Sequence, residues 1–388
     1  MIHVPVLVEN PARLSPPPGP RGGDRALGLD TIRSDVPAPG CVPGPPRAPV
    51  EGLKPVMLIL RHSEVAQILD GRELDNIRTV GDAYRVHAQG DTAVPHSVFL
   101  RFPGQPRNRI IGLPAYRGGQ TPVAGMKWIA SFPANIERGI ERASASIILN
   151  SLETGRPEAL IEGSLISATR TAASAALAAE LLTRDRRPDG LALIGCGVIN
   201  LEILRHVRSA VPGLKTLSLY DSSPQRAVEF AARAAAVLPG AEIVTLDSAE
   251  RALAAHGLVS IATSAIEPHL DLKAAVPGTV VLHISLRDLL PESLLDAHNI
   301  VDDVDHAVRE RTSLDLAVQA AGHRDFIDPT IGRLLLEEGS EDGFAPEPDR
   351  TVVYAPFGLG VLDMALADDV LASARARGLG VLVEGFLP

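Results

Sequence analysis

Apolar and polar positions alternate along this chain in two registers. Met57-Leu58-Ile59-Leu60 reads as a short strand, and His62–Leu69 follows as a helix with Ser63 as its expected N-cap. Between His96 and Ser131, three β-like runs are punctuated by Gly and Pro: His96–Phe102, Arg109–Pro114 and Val123–Ile129. Ala143–Asn150 and Ala159–Glu162 continue the pattern, which predicts an antiparallel or mixed sheet. Ser167–Leu182 is almost pure helix former, with small residues that permit close packing.

From Leu191 to Val304 the pattern becomes strict strand and helix alternation. Strands are expected at Leu191–Ile194, Thr216–Tyr220, Glu242–Leu246, Leu258–Ala262, Thr279–Ile284 and Asn299–Val301, with helices at Val198–Ala210, Pro224–Val237 and Ala249–Ala255. The strands are too uniformly apolar for a half-exposed sheet, so a parallel sheet covered on both faces is expected. Helices near Leu314–Ala321 and Ile331–Glu337 follow. The tail, Thr351–Pro388, carries a strand and a helix at Met364–Arg377 and is expected to return to the first domain. The expected division is therefore 56–175 plus 351–388, and 176–350.

Composition narrows the function. Of 388 residues, 37 are Lys or Arg and 47 are Asp or Glu, a net charge of −10, which argues against nucleic-acid and anionic-membrane partners. Two cysteines, Cys41 and Cys196, are too few for a disulfide framework and have no metal-ligand spacing. No apolar run reaches the roughly 18 residues of a membrane span. The first residues lack a secretory signal pattern, so a cytoplasmic protein is expected. Residues 1–55 hold thirteen of the 32 prolines. That stretch reads as a disordered extension, or as residues upstream of the true start.

Leu191-Ala192-Leu193-Ile194-Gly195-Cys196-Gly197-Val198-Ile199-Asn200 sets two glycines where a buried strand turns into a helix. Gly195 permits the tight turn, Gly197 lets amides approach a pyrophosphate, and the helix start at Val198 and Ile199 adds a positive dipole end. Asn200 stands in place of the usual third glycine. Asp221 ends the next strand, where a carboxylate either binds both ribose hydroxyls, favouring NAD over NADP, or helps cap the helix at Ser223-Pro224. Arg226 lies one turn into that helix, either on a solvated face or near a 2′-phosphate. Thr263 and Ser264 follow a strand, to line a nicotinamide ribose or to make a plain turn. The fold class expected is α/β: a Rossmann-type doubly wound parallel-sheet domain plus an α+β substrate-binding and dimerisation domain.

Several stretches resemble the ornithine cyclodeaminase/μ-crystallin family. They are His96–Pro103, Arg109–Tyr116, Gly125-Met126-Lys127-Trp128-Ile129-Ala130-Ser131-Phe132-Pro133, Leu149–Pro157 with Thr154, Ser167–Ser174, Gly195–Asn200, and Ile284-Ser285-Leu286-Arg287-Asp288. The resemblance covers the chain from about Val56 onward. It implies a homodimer built on the first sheet, a substrate held between that domain and the nucleotide domain, and NAD as cofactor. The look is nearest to members that oxidise N-[(2S)-2-amino-2-carboxyethyl]-L-glutamate and release L-2,3-diaminopropionate and 2-oxoglutarate for siderophores or peptide antibiotics. Two departures from typical ornithine cyclodeaminases fit this: Ile199 stands at their glutamine position, and Leu289-Leu290-Pro291 follows Asp288 where they have Pro-Gly.

Arg101, Lys127 and Arg170 are three cations in apolar surroundings, and each needs an anion. That anion is either internal, for instance Glu141, Glu153 or Glu162, or a substrate carboxylate. The resemblance carries all three onto substrate-carboxylate and catalytic positions, with Arg170 also near the cofactor. A substrate with three carboxylates suits such a set better than ornithine, whose side-chain ammonium needs an acid. Asp288 follows the fifth strand and is expected at the ligand edge as general acid or base, or else as a cap or partner of Arg287. Lys127 either holds a carboxylate or acts as the base that frees the amine lone pair. Thr154, Ser285 and Gly358 are further cofactor candidates, the last equally a helix cap. His62, His96, His283 and His323 share no spacing and read as core or surface residues. Asp302-Asp303-Val304-Asp305-His306 has a metal-like composition but reads as a strand end and solvated turn, so no metal is expected. Ornithine cyclodeamination and non-catalytic NAD(P) binding are the alternatives.

Overall fold

Aliphatic β-formers build a strand at Val56–Leu60 (β1), where this computed structural model, describing residues 56–340 and 344–386, begins. The expectation of disorder at 1–55 lies outside the described residues. The first half continues with α1 (His62–Leu69), α2 (Glu73–Ala88), β2 (Thr92–Ala93), β3 (Val98–Phe102), β4 (Gln105–Arg117), β5 (Val123–Ser131), β6 (Ala143–Asn150), β7 (Pro157–Glu162) and α3 (Ser164–Leu182). The second half runs β8 (Gly190–Ile194), α4 (Val198–Ala210), β9 (Thr216–Tyr220), α5 (Pro224–Val237), β10 (Glu242–Thr245), α6 (Ala249–Leu253), β11 (Leu258–Ile261), β12 (Val280–His283), α7 (Pro291–Leu295) and β13 (His298–Ile300). It ends with α8 (Val304–Ala307), α9 (Ser313–Ala321), α10 (Ile331–Leu336), β14 (Val352–Tyr354), α11 (Gly360–Arg377) and β15 (Val381–Glu384).

The first sheet is mixed, in the order β15-β1-β7-β6-β5-β4-β2, with β3 also on β4. Within it β1 runs parallel to β7 and antiparallel to β15. The second sheet is parallel throughout, in the order β10-β9-β8-β11-β12-β14-β13. Its order reverses between β8 and β11, the place where doubly wound sheets hold ligands at the strands' carboxyl ends. Helix α3 joins the sheets. Six of its alanines, Ala172, Ala173, Ala175, Ala176, Ala178 and Ala179, are fully buried, and small side chains on that face let neighbouring helices approach closely.

Two expectations need correction, and one helix was not expected at all. Ser63 lies inside the first turn of α1; the N-cap is Arg61, whose amide donates to Glu64 Oε2 at 2.8 Å and whose guanidinium pairs with Oε1. Helix α2 carries a narrow stripe, Ile77, Val80, Gly81 and Tyr84, among polar residues, and no strong apolar period announces it. The tail divides between the sheets: β14 inserts between β12 and β13, while α11 covers the first sheet and β15 pairs with β1.

Candidate active site

Strand β8 turns into α4 at Gly195, whose φ is +94°. A Cβ there would collide with the Ala262 carbonyl oxygen, so only glycine fits. Gly197 is the N-cap of α4 and offers no side-chain cap. The first amides of α4, from Val198 on, are thus left for an anion, and Val198 is exposed. Asp221 fastens this loop to the next strand. Its Oδ2 accepts from the Cys196 amide at 2.8 Å, its Oδ1 accepts from the Ser223 amide at 2.9 Å, and Arg226 Nε lies 3.9 Å away. Ser223 caps α5 itself. Glycine turn, uncapped helix start and terminal acid together suit a dinucleotide.

Asn200 is fully buried and does not face that edge. Its amide donates to the carbonyls of Ile194 at 3.0 Å and Gly195 at 2.6 Å, and its oxygen accepts from Ser260 Oγ at 2.8 Å. It braces the loop from beneath, which explains an amide in place of a third glycine. Burial, and then Asp221, push the Cys196 thiol up to about 12, so it is no nucleophile.

The chemical centre lies between β5, α3 and α11. Lys127 Nζ donates to Asp363 Oδ2 at 2.7 Å and to Ser167 Oγ at 3.1 Å, and Arg170 Nε donates to Asp363 Oδ1 at 3.2 Å. Lys127 is 1% exposed and Asp363 0%. Burial and the Arg170 charge lower the Lys127 pKa to about 8, against the opposing pull of Asp363. Two cations share one carboxylate, so a single positive charge is left over for a ligand. The expected partners Glu141, Glu153 and Glu162 are not the ones found. Glu162 instead accepts from the Ser164 and Leu165 amides at the start of α3. The sequence signal for Asp363 is an acid inside the apolar Val361–Met364 stretch, one turn after Gly358 and Gly360.

At the ends of β11 and β12, Asp288 is buried rather than presented as a free acid or base. Thr263 Oγ1 donates to its Oδ1, while Ser285 Oγ at 2.5 Å and His283 Nε2 at 3.2 Å meet its Oδ2. Burial raises its pKa, but the contacts with His283, Ser285 and Thr263 together outweigh this and hold it below the ordinary value. His283 is a buried core residue, as expected, and is also Asp288's partner. Ser264 is exposed at the same edge.

The turn before α11 completes the site. A Cβ on Gly358, where φ is +94°, would fall 2.5 Å from Arg170 Nη1. Asp302 holds this turn, accepting from the amides of Phe357 at 2.9 Å and Gly358 at 2.7 Å. The acidic stretch expected to be a solvated turn is thus largely internal. Asp303 caps α8 and accepts from His306 Nδ1 at 2.9 Å, a contact that raises the His306 pKa. Among the described residues no group of acids, histidines and cysteines could hold a metal. Arg101 pairs with Glu310 at 2.7 Å, at the far end of β3. Thr154 stands apart in the exposed β6–β7 turn, its hydroxyl accepting from the Arg156 amide at 3.3 Å. No helix among the described residues is long and apolar enough to cross a membrane.

Comparison with known proteins bears on the fold and the family. The N-((2S)-2-amino-2-carboxyethyl)-L-glutamate dehydrogenase of Staphylococcus aureus is 28% identical over 84% of this chain and 98% of its own length. The Thermococcus litoralis Δ1-pyrroline-2-carboxylate reductase, solved in complex with NADH and L-proline, superposes with a TM-score of 0.78 at 25% identity, covering 84% of this chain and 100% of its own. An archaeal alanine dehydrogenase dimer with bound NAD gives a TM-score of 0.75 at 26% identity, over 85% and 100%. With a family model matching residues 56–378, the chain belongs to the ornithine cyclodeaminase/mu-crystallin family.

Proposed function

We propose that this protein is an NAD-dependent amino-acid oxidoreductase that oxidises and hydrolyses N-[(2S)-2-amino-2-carboxyethyl]-L-glutamate to L-2,3-diaminopropionate and 2-oxoglutarate, a supply for siderophore or peptide antibiotic synthesis. The observation that carries it is the Lys127–Asp363–Arg170 group, a buried amine with pKa about 8 beside a guanidinium that stays charged when the amine is neutral. Gly195, Gly197, Val198 and Ile199 would hold the cofactor's pyrophosphate, Asp221 its ribose, and Thr263, Ser264 and Ser285 its distal part. When bound, NAD accepts the hydride of the glutamate α-carbon.

Arg170 orients the α-carboxylate next to that carbon. Neutral Lys127 takes one proton from the bridging ammonium, because nitrogen must recover its lone pair before hydride can leave. The carbon–nitrogen bond then becomes an iminium. Water adds at its carbon, a proton passes from oxygen to nitrogen, and the bond breaks to give ketone and primary amine. Lys127 releases its proton to solvent, so the turnover yields one NADH and one proton. Asp288 acts in this scheme as a positioning residue, fixing the hydroxyls of Thr263 and Ser285. Asp363 already serves two cations, which leaves no free acid for the side-chain ammonium of ornithine.

A homodimer formed through the outer face of the first sheet is part of this reading. Trp128 lies across β4 from Val98 by way of Gly112, and Leu100 lies two residues on; all three are exposed on the face opposite Lys127. Incubating the protein with NAD and the conjugate should give NADH, 2-oxoglutarate and diaminopropionate in equal amounts. Proline and ammonia from ornithine without net NADH would overturn it in favour of cyclodeamination, and cofactor binding without any turnover would favour a storage protein.

A further inference from the structure

A second concentration of positive charge lies beyond Lys127 on the same face of the first sheet. Arg101 on β3 sits opposite Arg109 on β4, which sits opposite Ser131 on β5. Arg142 Nη1 approaches Ser131 Oγ at 3.5 Å. From the second sheet's side, Arg287 Nη2 donates to the Glu310 carbonyl at 2.8 Å, and the Glu310 carboxylate takes Arg101 at 2.7 Å. Arg101, Arg142 and Arg287 thus gather about Arg109, with the Glu310 carboxylate paired, among the described residues, to Arg101 alone, in a chain whose net charge is −10. Among the described residues Arg109 and Arg142 have no ion pair, although both are partly withdrawn from water. Burial and the charges of Arg287, Arg142 and Arg101 pull the Arg109 pKa below its ordinary value. Gathering like charges without counter-ions is unfavourable unless an anion is to be met there.

The backbone adds an independent sign. Leu286, Glu310 and Arg311 are the non-glycine residues with left-handed φ among those described, at 69°, 57° and 56°. Leu286 precedes Arg287, and Glu310 is the residue that ties Arg101 to it. L-residues keep this conformation only where their surroundings hold them, and such residues gather at ligand sites. The position also fits the chemistry. Residues 127 and 131 project from the same face of β5, about 13 Å apart along the strand.

We propose that Arg101, Arg109, Arg142 and Arg287 form a distal carboxylate subsite that selects dicarboxylate substrates, with Glu310 as the resident counter-ion an incoming carboxylate displaces. The inference rests on the reading of the Lys127 site as an amino-acid site and assigns the glutamate side-chain carboxylate to these arginines. Arginine forks suit it because each presents two parallel donors to a carboxylate.

The test is calorimetry on the full chain with NAD present, using 2-oxoglutarate against 2-oxobutyrate, which lacks the distal carboxylate. The expected result is 2-oxoglutarate bound about tenfold or more tighter. Arg109→Gln and Arg142→Gln should erase most of that preference while leaving 2-oxobutyrate and NAD binding unchanged, Arg109→Lys should restore part of it, and Glu310→Gln should strengthen it. Equal affinity for the two acids in the unaltered protein, or a preference that survives in the Arg109→Gln/Arg142→Gln double variant, overturns the subsite. Should the aminocarboxyethyl conjugate fail as a substrate while the preference and its loss are seen, the subsite stands and only the proposed reaction falls. If instead the conjugate is oxidised with a KM that neither variant moves, the subsite falls and the reaction stands.

Discussion

Lys127 and Asp363 stand 236 residues apart in the chain and meet at 2.7 Å, both side chains buried. The acid does not simply neutralise the amine, because it divides its two oxygens between Lys127 and Arg170. The amine is left far easier to deprotonate than an ordinary lysine, while the Arg170 guanidinium stays charged whether or not the amine holds its proton.

The pH profile of kcat/KM should follow that amine. Its pKa lies near 8 instead of 10.5, so the neutral base appears as pH rises through 8. The rate is expected to climb about tenfold per pH unit below 8 and level off above it. Lys127→Met should abolish turnover while NAD binding persists. A flat profile between pH 6 and 9, followed by NADH absorbance, would remove Lys127 from the base role.

Asp363→Asn leaves two buried cations without a carboxylate. A loss of about 3–5 kcal/mol is expected in denaturant unfolding, the usual consequence of stranding a buried charge. The variant's pH limb, if it folds, should shift to lower pH, since Asp363 is the group that raises the Lys127 pKa. An unshifted limb would show that the acid does not control the base.

Asp221→Ser should lose NAD affinity by about tenfold and gain use of NADP, because the carboxylate proposed to receive the ribose hydroxyls and to repel a 2′-phosphate is gone. The same change leaves the Cys196 and Ser223 amides without their acceptor. A stability loss of about 1–3 kcal/mol should accompany it. Kinetics with both cofactors and a thermal melt separate the two effects.

The proposed homodimer predicts that the unaltered protein sediments as a dimer and that Trp128→Glu, on the outer face of β5, sediments as monomers with the inner-facing Lys127 and its pKa intact. A coefficient that the substitution leaves unchanged would remove this face as an interface.

The alternating pattern from Leu191 onward made the second sheet legible, because uniformly apolar strands separated by amphipathic helices admit few arrangements. The glycine turn at Gly195 and the acid at Asp221 were legible for the same local reason. Pairings between distant segments were not. Nothing near Lys127 or Arg170 in the chain points to Asp363, and nothing near Arg101 points to Glu310; both depend on how the tail and the α8–α9 connection fold back. Asp288 was legible as a strand-end acid, but its burial depends on Thr263, Ser285 and His283 arriving together. Helix α2 escaped because its buried stripe is narrow and most of its surface polar.

The path of the tail has a consequence for biosynthesis. Strand β14 fills the gap between β12 and β13, and the helix that follows delivers Asp363 to the first sheet. A nascent chain on the ribosome therefore holds an incomplete parallel sheet and unpaired buried cations until its final segment emerges. Completion of the parallel layer and pairing of Lys127 with its carboxylate become one late event, so a polypeptide stopped short of residue 352 carries neither.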